Sequence, residues 1–243
     1  MTNLRQVKKL VAPLLARNPD LILSDYRTWG YELCLLPVDH VLRHVWIKRA
    51  SMSPSFSVQF HVTEMFRPEP CERFTFGWCF DLVGRSPLTH PPGTGGNWVW
   101  ADPTMAADFV VQIEEQVLSM LRPLDTVEKF VAYARQHREW SWCGDFSRAL
   151  TEMVLGNLDE ARTIWAAEAK HFVPSKRPEG GADDYPTFDR LCALSAALLA
   201  DDRVELARLL HAWEAEWVAV RKLSAHWRPT PFPLERGLKP VRG

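Results

Sequence analysis

Apolar residues recur every three to four positions at Leu4, Val7, Leu10, Val11, Leu14 and Leu15. That spacing predicts a surface helix over residues 3 to 17 with one buried face. Pro13 marks a kink or late break in it, and Asn18-Pro19 a stop. From Tyr26 the period falls to two. Trp29, Tyr31, Leu33 and Leu35 alternate with Gly30, Glu32 and Cys34, and Val58, Phe60 and Val62 alternate with Gln59, His61 and Thr63. Four strands are predicted, near residues 26–36, 41–49, 56–66 and 73–83. They are joined by turn-rich segments short enough for hairpins, so an antiparallel meander is the economical topology. Residues 85–96 (RSPLTHPPGTGG) read as an exposed loop leading into Asn97-Trp-Val-Trp100.

After Asp102-Pro103-Thr104 the helical period returns in Phe109, Ile113, Val117 and Leu121, which predicts a helix over 105–122. Asp125-Thr126-Val127-Glu128 opens a shorter helix carrying Val127, Phe130, Val131 and Ala134. Beyond Asp145 the pattern is helical throughout. Phe146 to Val154 forms one stripe, Gly156-Asn157 breaks it, and Ala161, Ile164 and Trp165 form the next. A linker over 172–186 leads to helices over 188–200 and 204–223, which turn at Asp201-Asp202, and a proline-rich basic tail follows. The fold class expected is α+β: a four-stranded antiparallel meander with helices on one face, then an all-helical part of two helix hairpins. The domain reading is 1–125 for the sheet domain, 126–225 for hairpins docked on it, and 226–243 for an extended tail.

The segment from Ala149 to Trp165 (ALTEMVLGNLDEARTIW) resembles a tetratricopeptide unit, with small residues where two helices cross and an aromatic four places later. A second pair through Leu198, Ala207 and His211 is similar. Two such hairpins make an appendage and not a superhelix, since about three repeats are needed for an independent solenoid. The element order over residues 1–137 resembles small bacterial α+β families of unassigned function, some of them candidate immunity proteins encoded beside toxins. The resemblance implies a protein whose task is to bind one cognate protein without chemistry.

Composition changes this picture little. Among 243 residues, 29 Lys+Arg face 30 Asp+Glu, a net charge of −1 that supplies no field for nucleic acid or an anionic membrane and departs from acidic nuclease mimics. The longest apolar stretch, around Leu191 to Ala200, spans about half of the ~20 residues a bilayer crossing needs, and residues 1–15 are too polar for a signal sequence. Five cysteines without a Cys-x-x-Cys pair predict free thiols in a reducing cytoplasm. The chain carries no Gly-x-Ser-x-Gly, His-Glu-x-x-His or phosphate-loop sequence, so the enzyme reading is left with scattered candidates. His40 and His44 have helical metal spacing but lie in a strand-like stretch. Cys143 reads as structural, Trp213 and Trp217 as core, and Asp201-Asp202 as a helix cap.

Strand register yields the one composite site. Phe60 opposite Phe80 puts His61 opposite Cys79 on the other face, and Val45 opposite Phe60 sets His44 beside His61. Leu35 opposite Val41 would set Glu32 beside His44. The row Glu32, His44, His61, Cys79 holds zinc-type ligands at strand spacing, so zinc is the alternative to having no cofactor, and a Cys/His or metal enzyme the alternative to a binding protein. Trp46 and Gln59, next to the row, are the candidate partner-binding residues on an otherwise polar face.

Overall fold

The computed structural model describes residues 2–25, 30–50, 54–68, 77–84, 98–137, 144–170, 172 and 185–237. The chain divides into two compact units. The first comprises Met1–Glu64, Cys71–Lys129 and Val218–Arg228; the second comprises Met65–Pro70, Phe130–Trp217 and Pro229–Gly243.

In the first unit, α1 (Leu4–Arg17) starts at a capping box in which Asn3 and Gln6 exchange side-chain to backbone hydrogen bonds, and it buries Val7, Leu10, Val11 and Leu14. It runs through Pro13 instead of breaking there. Pro13 is exposed, so the turn that loses a hydrogen bond faces water. The sheet is antiparallel and follows chain order: β1 (Leu21–Leu23), β2 (Gly30–Leu35), β3 (Val41–Arg49), β4 (Ser55–Glu64) and β5 (Gly77–Leu82), with β6 (Trp98–Val99) paired to the start of β4. The strand count therefore exceeds the expected four. β1 and β6, three and two residues long, are too short for a period-two signal.

One sheet face carries Leu33, Val45, Ile47, Phe56, Val58 and Val62, which are fully buried. Phe56 and Trp98 pack edge-on against Phe109 of α2 (Met105–Gln112), with ring centroids 6.2 and 5.5 Å apart. α2 continues through a π-helical stretch at Ile113–Leu118 into the short α3 (Ser119–Leu121). Arg43, buried on this face, donates to the carbonyls of Arg122 (3.1 Å) and Pro37 (3.2 Å), so the end of that helix has a charged cap.

Gly30 stands opposite Lys48 at the start of β2. A Cβ there would lie 2.3 Å from the Ile47 carbonyl oxygen and 2.8 Å from the Trp46 indole nitrogen, so only hydrogen fits. Gly30→Ala is expected to cost about 1–3 kcal/mol by overpacking and to shift the Trp46 indole. Urea unfolding with tryptophan emission checks this; an unchanged midpoint and spectrum would refute it.

The second unit is helical and contains most of α4 (Val127–Gln136), then α5 (Asp145–Leu155), α6 (Leu158–Ala169), α7 (Tyr185–Leu199) and most of α8 (Arg203–Val220). α5 ends on Gly156 at φ 81, with Gly156 N–H on Met153 O and Asn157 N–H on Glu152 O. Ala149 and Ala161 are fully buried, and the Trp165 indole donates to Ser195 Oγ at 3.0 Å. Arg190 of α7 makes a two-pronged ion pair with Glu216 of α8. Asp202 caps α8 by accepting from Glu205 N–H, and Trp213 and Trp217 are core residues, as their spacing predicts. The tail departs from expectation: Phe232 and Leu234 are fully buried around a 3-10 turn at Pro233–Glu235. Their apolar area outweighs the extended preference of the neighbouring prolines. The loop at 85–96, Cys143, and the 172–186 linker apart from residues 172, 185 and 186 lie outside the described residues.

Candidate functional site

The second sheet face is built by the residues that alternate with the core. Pairing places Cys34 opposite His44, His44 opposite His61, and His61 opposite Cys79, so three of the four expected members form one cross-strand row. Glu32 does not stand in it. It pairs with Trp46, two residues along from the expected position, in a second row that reads Glu32, Trp46, Gln59, Asp81. A slip of two keeps every side chain on its own face, so apolar alternation cannot distinguish the two registers. Cys34 takes the place expected for Glu32.

Glu32 still reaches the row diagonally. Its Oε1 lies 3.8 Å from His44 Nδ1 and forms a buried ion pair with Arg221, both side chains 2% exposed. His44 Nε2 lies 3.1 Å from Thr63 Oγ1, and the His44 and His61 rings stack at 4.9 Å with 25° between their planes. His44 is 0% and His61 1% exposed.

The electrostatics follow from burial. Desolvation pushes the Glu32 carboxyl above its usual range, and Arg221 partly opposes this. Burial raises the Cys34 thiol well above its usual value, with Glu32 adding to the effect. His44 is held well below the usual histidine range by burial, then by His61 and Arg221. His61 is lowered to about 3 by burial, then by Lys48 and Arg221. At neutral pH the row therefore holds a pair of neutral imidazoles beside the protonated Cys34 thiol, and the Glu32 carboxyl next to it is taken by Arg221.

Zinc requires ligand lone pairs that converge on one point. Stacked imidazoles direct their in-plane lone pairs side by side, and Glu32, His44 and His61 do not bring three ligand atoms within 4.8 Å of one another; the side chain of Cys79 lies outside the described residues. The Arg221 guanidinium, ion-paired to Glu32, adds a repulsive charge. His40 precedes β3, with its backbone N–H on the Asp39 carboxylate, so His40 and His44 share no helix.

Toward the β1-distal end the face becomes accessible. Trp46 and Gln59 are half-buried, Lys48 lies 4.3 Å over the Trp46 ring, and Gln59 donates to the exposed Asp81 carboxylate at 2.8 Å.

No protein-family model, no curated protein and no solved structure matches the chain.

Sequence reasoning missed Cys34, Thr63 and Arg221. Alternation alone points to the first two, since Cys34 follows Glu32, and Thr63 follows His61, by two positions. For Arg221, 189 residues from Glu32, the signal is indirect: an acid within a strand whose neighbours are all apolar requires a buried cation from elsewhere.

Proposed function

We propose that this chain is a cytoplasmic protein-interaction module of the immunity type, which binds and neutralises one cognate toxin, and that the partner docks on the accessible strip around Trp46 and Gln59. One observation carries the reading. Cys34, His44 and His61 are sealed, while the adjoining part of the same face offers an aromatic ring, a cation, an amide and a carboxylate, the kind of mixture found in interface anchors. No described helix is long and apolar enough to cross a membrane, which accords with this setting. The helix pairs α5–α6 and α7–α8 are read as tetratricopeptide-like hairpins, serving as a scaffold.

The products of genes flanking this one supply the test. One of them should bind the full chain and arrest growth unless co-expressed with it, and Trp46→Ala should weaken binding at least about tenfold while leaving the melting temperature within a few degrees. Failure of every flanking product to bind, or binding indifferent to both Trp46→Ala and Gln59→Arg, would sink the proposal.

A further inference from the structure

A groove of about 490 Å3 in the first unit runs between α1 and the edge strand β1, lined by Lys8, Ala12, Leu15, Leu21, Ile22 and Leu23, with Asp25 at one end. Ala12 is exposed, and Leu15, Ile22 and Leu23 are half-buried. β1 pairs with β2 on one side, and among the described residues no strand pairs with its other side.

Ser24 N–H donates to Glu32 O and Leu36 N–H to Asp20 O, so the residue pairs 24/32, 22/34 and 20/36 face each other with their polar groups. Leu21 and Leu23 then turn their backbone groups away from β2. The Leu21 N–H is taken by Asn18 O, which leaves the Leu21 carbonyl and both polar groups of Leu23 directed outward, beside an apolar groove.

We infer that this groove binds an extended peptide of a partner protein, added antiparallel to β1, with an acidic residue two positions before an apolar residue and a second apolar residue two positions after it. The backbone selects an extended strand, because the residue opposite Leu23 can exchange two hydrogen bonds with it. Its side chain then lies on the same face as Leu23, toward Ala12 and Leu15, and the residue two further on lies opposite Leu21. α1 and β1 run in opposite directions through a short turn, so Lys8 stands at the Asp25 end, where an antiparallel strand enters. The charge at this end sets the acid: Arg5 and Lys8, three positions apart on α1, outnumber Asp25 opposite the entering residue, whereas Arg17 at the other end of the helix is ion-paired to Glu114. Ile22 borders the groove but, by strand alternation, carries its side chain on the Cys34 face, so no side-chain preference is set for the peptide residues between.

The groove is separate from the Trp46 strip, and its test does not depend on that reading. A displayed random octapeptide library is selected on the full-length chain, with subtraction on Ala12→Glu, whose exposed site preserves the helix while filling and charging the groove. Enriched peptides should show the acid-x-apolar-x-apolar pattern. As synthetic peptides they should bind Trp46→Ala as well as wild type, and should lose at least tenfold in affinity to Ala12→Glu and when N-methylated at the first apolar residue. Leu23→Pro, which removes an outward N–H together with the Leu23 side chain that lines the groove, should lose at least as much with its circular dichroism unchanged. Enrichment without the pattern, equal binding to Ala12→Glu, tolerance of N-methylation, or no enrichment over the subtraction would overturn the inference. So would concentration-dependent dimers of the wild-type chain that Ala12→Glu abolishes, since the occupant would then be a second copy.

Discussion

Arg221→Met is expected to destabilise the first unit by about 3–5 kcal/mol, because it leaves the Glu32 carboxylate buried without its counter-charge. Glu32 is already pushed toward its neutral form by desolvation, and removing the guanidinium removes the influence that opposes this push. The loss should therefore be larger at pH 8 than at pH 5, where the orphaned carboxyl can take up a proton. The double variant Glu32→Leu, Arg221→Met should recover most of the loss, since a buried ion pair replaced by apolar side chains of similar volume is often neutral or better. Because the chain has two units, a single unfolding midpoint can conceal the effect, so hydrogen exchange of the β3 amides is the sharper measure. A protection loss equivalent to under about 1 kcal/mol in the single variant, or a double variant no better than the single, would show that the pair does not hold this face together.

The long elements were legible because their periods are long. β3 spans Val41–Arg49 as alternation predicts, and α1 and α5 lie within a residue or so of their expected bounds. What was not legible depends on partners distant in sequence. β1 is a strand because Leu36 N–H and Ser24 N–H bridge it to β2, and β6 because it pairs with β4, not because Leu-Ile-Leu or Trp-Val carries a pattern. The β3–β4–β5 register followed from matching Phe60 to Phe80 and to Val45, whereas the β2–β3 register slipped by two where both choices keep the faces in place. The same logic governs the site. Alternation alone brings His44 and His61 together; that they are sealed, neutral and held in a stack beside Thr63 and Arg221 follows from partners distant in sequence.

Acid should weaken the first unit well above the range in which carboxylates titrate, and His61 should account for a measurable share. In the folded chain His61 has its proton affinity lowered to about 3, and His44 is also well below the usual value of 6.5, so both stay neutral where the unfolded chain binds a proton. For groups depressed in this way, stability is full above the unfolded value and declines as pH falls from 6.5 toward the folded value. Each contributes a slope approaching about 1.4 kcal/mol per pH unit. Between pH 7 and pH 5 His61 alone should cost about 2 kcal/mol, and His44 acts in the same direction. Glu32 works in the opposite sense, because its raised folded value makes the folded chain take up that proton first as pH falls toward 4.5. Other titrating groups contribute to the absolute curve, so the decisive quantity is the difference between wild type and His61→Gln, which keeps a polar planar side chain and loses the titration. The variant is expected to be less stable at pH 7, where the ring stack with His44 is lost, and to close that gap by about 2 kcal/mol at pH 5. Exchange protection of the β3 and β4 amides at the two pH values measures it. A gap that stays constant from pH 7 to pH 5 would mean that His61 is charged in the folded chain or open to solvent, and the sealed neutral row would have to be abandoned.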